Sequence, residues 1–259
     1  MTLRDKTING VKWSSISSII KTVLQLLQLI ILARYLSAED FGLLAIVMVV
    51  IGFSQLFMDM GISNAIIYKQ KITEVQLSSL YWLNVFSGII LTTIVFLSAP
   101  LISLFYKEEA IIPLLQLISI SFIINSIGNQ YRVLLKKDLK FNILALVEVL
   151  AVICAFITAV ILAIKGFGAY SLVYAILTTA IISNSILLAI GIKTHKPRLI
   201  YHHSKIKSFL SFGLYQMGQN SIVYFNKQFD VILIGKLLGV EALGIYNLTK
   251  QLVMRPAQV

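Results

Sequence analysis

Long apolar runs separated by short polar turns set the pattern of this chain. The runs predict helices over residues 13–33, 41–68, 77–101, 111–135, 142–164, 170–192 and 208–238, with an eighth beginning near 243 and continuing to the last residue. Each complete run holds 20 or more residues, enough to cross a hydrocarbon core of about 30 Å. The seventh is longer than a span needs and is expected to tilt or to extend past the bilayer. Pro113 falls in a first turn, where a helix tolerates it, and Lys165, Gly166 and Gly168 make a tight turn between the fifth and sixth runs. The pattern predicts an all-α, polytopic transmembrane bundle.

One stretch recurs. Residues 30–45 (IILARYLSAEDFGLLA) come back as residues 232–247 (ILIGKLLGVEALGIYN) at a constant offset of 202. Leu36 matches Leu238, Glu39 matches Glu241 and Gly42 matches Gly244, while Arg34 becomes Lys236, Ala33 becomes Gly235 and Leu43 becomes Ile245. In both copies an apolar helix ends at a basic residue, a short acidic turn follows, and a second apolar helix starts. Six helices separate the copies, so both point the same way, as in transporters whose two halves are related by an axis along the membrane normal. The expected organisation is a six-helix N-terminal lobe over 1–193, a basic cytoplasmic linker over 194–207, and the start of a C-terminal lobe over 208–259. On that reading the sequence is an incomplete chain.

Composition supports the membrane assignment: 58% of residues are hydrophobic, only 13% are charged, and the mean hydropathy is +0.88. The net charge of +11 would suggest nucleic acid in a soluble protein. Here the basic residues sort by membrane face. Arg4, Lys6, Lys12, Lys69, Lys71, Arg132, Lys136, Lys137, Lys140, Lys193, Lys196, Arg198, Lys205 and Lys207 fall on one side, against Arg34, Lys107, Lys165 and Lys236 on the other. That bias places the N-terminus in the cytoplasm and removes the need for a nucleic-acid partner. The single Cys154 offers neither a disulfide nor a metal set, and no cofactor is expected. Gly166 and Gly168 form a bare turn without the strand and lysine of a phosphate loop. The first apolar run is too long for a signal peptide and lacks a cleavage site.

Four ionisable residues lie well inside predicted spans: Lys21, Glu148, Lys227 and Asp230. A charge at a helix centre costs about 2.5–3.5 kcal/mol on insertion scales, so these groups should face protein or a wet cavity. In the first helix Ser14, Ser17, Lys21, Gln25 and Gln28 recur at helical spacing on one face. In the seventh, Gln216, Asn220, Lys227 and Asp230 do the same, and the offset of 202 puts Lys227 and Asp230 on Gln25 and Gln28. In the fourth, Ser121, Asn125, Asn129 and Arg132 share a face. Two readings stand side by side. The stripes line a cavity between two halves, or they are hydrogen-bonding glue between helices, with Lys227 and Asp230 neutralising each other and Glu148 serving as a structural partner for a lysine. Asp59 reads as structural. The residues chosen for a translocation cavity are Lys21, Gln25, Gln28, Asn125, Asn129, Arg132, Lys227 and Asp230, with Glu148 and Asp230 as candidates for ion coupling.

Gly10-Val-Lys-Trp13-Ser14, the LARYLSAEDFG segment, Phe57-Met-Asp59-Met-Gly61, Tyr81-Trp82-Leu-Asn84 and Phe229-Asp230-Val-Ile-Leu-Ile-Gly235 together resemble bacterial polysaccharide biosynthesis flippases of the Wzx type. These belong to the multidrug/oligosaccharidyl-lipid/polysaccharide exporter superfamily. The resemblance implies a non-enzymatic protein of the cytoplasmic (inner) membrane with 12 to 14 helices in two lobes. It implies a polyprenyl-diphosphate-linked oligosaccharide as cargo, moved from the inner to the outer leaflet, with membrane lipids, a polysaccharide polymerase and assembly proteins as partners. A drug or cation exporter or a peptidoglycan-lipid flippase of the same superfamily, and a membrane-embedded sugar transferase, are the alternative readings. Mid-membrane cations argue for an anionic cargo over a cationic drug.

Overall fold

The computed structural model describes residues 3–59, 63, 66–67, 69 and 72–254, with side chains described over 8–58, 63, 66–67, 69, 72–202, 206 and 215–253. Its elements are α1 (Leu3–Leu32), α2 (Ala38–Asp59), α3 (Glu74–Tyr106), α4 (Ile111–Lys137), α5 (Phe141–Ile164), α6 (Ala169–Thr194), α7 (His203–Leu237) and α8 (Gly239–Met254). No strand occurs among the described residues. Among the described residues, six helices, α1 to α6, are long and apolar enough to span a membrane. The helices match the apolar runs, with two displacements. α1 starts at Leu3 rather than near residue 13, because no glycine turn or proline interrupts the polar segment before the apolar run. The predicted continuation of the second helix from 60 to 68 lies largely outside the described residues, as does the side chain of Asp59.

Local chemistry fixes the turns. Thr73 and Gln76 form a capping box at the start of α3: the Gln76 N–H donates to the Thr73 hydroxyl, and the Thr73 N–H donates to the Gln76 side chain. α5 turns into α6 through Gly166 and Gly168, both at positive φ. Asp40 secures a second corner. Its carboxylate accepts from the Ser37 N–H at 2.9 Å and the Ser37 hydroxyl at 3.0 Å, and also from the Ala169 N–H at 2.7 Å. One side chain therefore orders the turn into α2 and caps the start of α6.

Small residues let the helices approach. Ala151, Ala155, Ala159 and Ala163 repeat every four residues on α5, and all are buried. Ala155, Ala159 and Ala163 pack with Leu29 and Leu32 of α1 and with Leu172 and Ala175 of α6, the small-residue packing that replaces hydrophobic drive inside a bilayer. Across α4 and α6, Asn184 fills the space beside Gly128 and donates to Asn125 at 2.8 Å and to the Ala180 carbonyl at 2.8 Å. Any Cβ at Gly128 would overlap the Asn184 side chain. Gly128→Val is expected to cost about 1–3 kcal/mol, typical of overpacking, and to lower the thermal unfolding midpoint of the detergent-purified full-length protein. Asn84 and Gln130 are also buried and satisfied, donating to the carbonyls of Ser126 and Leu77 at 3.1 and 3.0 Å.

α2 is the hub. Phe41, Leu43, Ala45, Ile46, Val47 and Ile51 are all buried, and the helix touches α3, α4, α6, α7 and α8. The exposed large side chains of α1 (Ile16, Ile19, Ile20, Val23, Ile30) and of α3 (Phe86, Ile90, Ile94, Leu97, Leu101, Leu104) fit a lipid environment, where exposed apolar surface carries no penalty.

Candidate functional site

Three helices bring two of the intramembrane charges, Lys21 and Glu148, together with Arg132 to one point. Glu148 of α5 accepts from Lys21 of α1 through Oε2 at 2.5 Å and from Arg132 of α4 through Oε1 at 3.1 Å. The side chains are 28%, 25% and 27% exposed for Lys21, Glu148 and Arg132, so all three are largely shielded. At 1.5 Å per residue, Glu148 lies about 10 Å along α5 from its start. Arg132 lies a similar short distance from the end of α4, so the cluster sits toward the basic face. One carboxylate faces two cations, leaving a net positive centre with donors to spare: an ammonium offers three and a guanidinium five. Such a centre can accept a further anion without a new charge being brought into the membrane.

The rest of the predicted set divides. On α1, Ser17 is buried, Lys21 and Gln28 are partly buried, and Gln25 is exposed. On α4, Asn125 is spent on Asn184 and Asn129 is partly buried. Asn125 follows the interhelical reading, while Arg132 joins the charged centre. On α7, Lys227 is exposed and Asp230 partly buried. The expected neutralisation of Asp230 by Lys227 is not the one seen. Asp230 instead takes Lys250 of α8 at 2.6 Å and the Tyr246 hydroxyl, and the Lys250 ammonium stands 5.6 Å from the Tyr246 ring centre. Lys227 and Asp230 share a face at a spacing of three, but the facing helix α8 brings Lys250 directly onto the carboxylate.

Lys250 and Tyr246 were therefore missed from sequence. The available signal was their spacing of four, which puts a cation and a hydroxyl on one face. Asp230 lies seven residues before the end of α7, again about 10 Å of helix, but measured from the end opposite to the Glu148 cluster. The two charged centres thus lie at different depths.

The segment after α6 is held against α3. Arg198 N–H donates to Ser78 Oγ at 3.1 Å, Trp82 Nε1 donates to the Arg198 carbonyl at 2.9 Å, and His202 N–H donates to Ser79 Oγ at 3.0 Å. His195 sits where this strap leaves α6, with its Nε2 buried and unpaired. Burial holds its pKa below the usual 6.5, with Glu74 opposing. Below that ordinary value the unfolded segment binds a proton that the folded one resists, so attachment should weaken as pH falls. Protection from hydrogen exchange over 195–202, taken relative to the intrinsic exchange rate at each pH, is expected to be lower at pH 5.5 than at pH 7.5 in the full-length protein, and His195→Gln should flatten the difference.

The family model described as polysaccharide biosynthesis protein matches residues 31–259. The chain belongs to this family. Among curated relatives, it is 33% identical over 252 residues to the teichuronic acid biosynthesis protein TuaB of Bacillus subtilis, covering 96% of this chain and 52% of the relative. It is 32% identical to the lipopolysaccharide biosynthesis protein WzxC of Escherichia coli, covering 99% of this chain and 52% of that protein. It is 26% identical to the succinoglycan biosynthesis transport protein ExoT of Rhizobium meliloti, covering 100% of this chain and 52% of that protein. The chain spans about half the length of the curated relatives it matches. No solved structure matches it. Glu148 and Arg132 lie inside the matched residues, and Lys21 lies before them.

Proposed function

We propose that the full-length protein is a flippase that moves a polyprenyl-diphosphate-linked oligosaccharide from the inner to the outer leaflet of the cytoplasmic membrane. The observation that carries this reading is the largely shielded, net-positive Lys21–Arg132–Glu148 centre in an apolar helical bundle. A bare diphosphate or sugar cannot enter a low-dielectric core. A preformed cationic centre that already has a partner carboxylate can exchange part of that pairing for a phosphate oxygen. Asn129, Gln25 and Gln28 would replace sugar hydration while the lipid tail stays in the bilayer. The relatives' names concern teichuronic acid, lipopolysaccharide and succinoglycan, and ExoT is named a transport protein. Those names favour a saccharide cargo over a drug, and transport over sugar transfer.

In this reading the chain comprises a first lobe (1–193), a linker (194–207) and the beginning of a second lobe. The cargo moves from the Lys21–Arg132 centre near the cytoplasmic face toward Lys227 and Lys250 nearer the outer face. Glu148 and Asp230 hold those cations between cycles and are the groups open to coupling by a proton or sodium ion. Polysaccharide polymerase and assembly proteins would take the product. The N-terminus is cytoplasmic, supported by the basic bias of the loops. Alkaline phosphatase fused after Lys107 should be active in cells, and the same enzyme fused after His202 should be inactive; the reverse pattern would invert the topology.

The direct test is genetic. Deleting the full gene should cause a lipid-linked oligosaccharide to accumulate, identified by mass spectrometry of the lipid extract, and the full-length gene should clear it. An unchanged lipid pool would refute the proposal.

A further inference from the structure

The two copies of the repeated turn are not only similar; they touch each other. α2 crosses α8 with Gly42 against Val240 and Gly244 against Ala38: a Cβ placed at Gly42 would overlap the Val240 carbonyl, and one at Gly244 would overlap the Ala38 carbonyl. The Gly244 nitrogen lies 3.2 Å from the site of a Gly42 Cβ, and the Gly42 nitrogen lies 3.0 Å from the site of a Gly244 Cβ. At the offset of 202, Val240 corresponds to Ala38 and Gly244 to Gly42. Residue i of one copy thus meets residue j of the other, and j meets i, which is the signature of an isologous interface around a two-fold axis.

Burial follows the same correspondence. Leu29 and Val231 are 7% and 4% exposed, and Phe41 and Leu243 are 1% and 0% exposed. In the first copy Ala38, four before Gly42, completes the small-residue spacing that membrane helices use for close approach; in the second copy Val240 takes that place.

The contact lies at one membrane face. The end of α1, the start of α2, the end of α7 and the start of α8 all meet there, opposite the face bearing the linker. Asp40 ties the start of α2 to α6, so this copy is anchored within the first six helices. Lys236 anchors the other copy to the end of α3 by donating to the Phe105 carbonyl and standing over its ring at 4.4 Å. Nearly three turns deeper, Tyr224 of α7 fills the space beside Gly52 and donates to the Val49 carbonyl at 2.8 Å.

We infer that the Ala38–Gly42 surface of α2 is the docking surface for its own repeat equivalent, Val240–Gly244, and that this glycine crossing is the seam that closes the outer end of the translocation path. The inference rests on the two-lobe flippase reading for its purpose, but not for its geometry. Two backbones in contact with no intervening side chain make a flush, self-complementary seam held by packing and backbone dipoles. The crossing itself has no side chain to rebuild when it parts; the flanking Lys236–Phe105 and Tyr224–Val49 contacts are the ones that break and re-form. A side chain at either glycine props the seam open.

The test uses the full-length protein with native cysteines replaced and a reporter Met48→Cys. Met48 is 43% exposed and six residues inside Gly42. In right-side-out vesicles, a membrane-impermeant maleimide should label the reporter slowly in the parent. Gly42→Val should raise the labelling rate about tenfold, as expected when a minor open state becomes more populated. Gly244→Val should do the same, being the equivalent position, and Gly42→Ala and Gly244→Ala should give intermediate rates if the valine variants fail to fold. Parental labelling rates in monodisperse glycine variants would overturn the inference. Because labelling needs no cargo, that result is separable from failure of the flippase reading, which is judged by the lipid extract of the deletion strain.

Discussion

Glu148→Gln is expected to destabilise the full-length protein more than either Lys21→Gln or Arg132→Gln, by about 3 kcal/mol, the lower end of the cost of leaving a shielded charge unpaired. The asymmetry follows from the arrangement. Removing Lys21 leaves Arg132 bonded to Glu148, and removing Arg132 leaves Lys21 bonded. Removing the carboxylate leaves two cations facing each other inside an apolar bundle. Their partial exposure, between 25% and 28% across the three side chains, is the reason for choosing the lower end. The measurement is the thermal unfolding midpoint in detergent for the three single variants. Pairing Glu148→Gln with Lys21→Gln should recover part of the loss, since one of the two opposed cations is gone. If Glu148→Gln were the mildest of the three, the carboxylate would not be the organising member of the centre.

The second large effect is on transport. Lys21→Gln leaves the Arg132–Glu148 pair intact and neutralises the centre, so it should fold while losing most of its capacity to clear the lipid-linked intermediate. Lys250→Gln should also cut clearance, at a second point in the path. It removes the partner that holds Asp230 at 2.6 Å and leaves that carboxylate on Tyr246 alone among its side-chain partners. The two variants differ in a readable way. With the cation near the basic face gone, the intermediate should fail to enter and remain exchangeable with the cytoplasmic leaflet. With Lys250 gone, entry should persist and completion slow. Steady-state lipid levels alone would not separate them, so single-turnover clearance after a pulse of labelled sugar is the appropriate measurement.

The helices were legible in the sequence because a bilayer enforces them. A run of 20 or more apolar residues in lipid can satisfy its backbone only as a helix, so α3 to α6 match their predicted runs to within a few residues. The repeat was legible for a different reason: two glycines at equivalent positions are retained where two backbones cross, and the contact between Gly42 and Gly244 gives them a physical cause.

The pairing of charges was only half legible. Periodicity places Lys21 and Arg132 on particular faces of their own helices, but it carries no information about which helix lies opposite. Glu148 could be assigned a lysine partner in kind, not that it would take Lys21 and Arg132 together. For Asp230 the nearest cation in sequence, Lys227, suggested a local pair, whereas α8 supplies Lys250 from across the hairpin. The α4 stripe misled in another way. Asn125 has the composition of a cavity residue, yet Gly128 on its own helix makes room for Asn184 to bond it. Polar spacing alone does not separate a wet wall from an interhelical bond.

The most direct test of the central claim is leaflet transfer in proteoliposomes. The full-length protein would be reconstituted with a polyprenyl-diphosphate oligosaccharide, and the fraction protected from an added sugar-oxidising reagent followed with time. The account predicts that wild-type protein exchanges the protected pool, and that protein carrying both Lys21→Gln and Lys227→Gln, though folded and equally inserted, does not. Exchange by the double variant at the wild-type rate would contradict a cation-lined path for an anionic lipid-linked sugar.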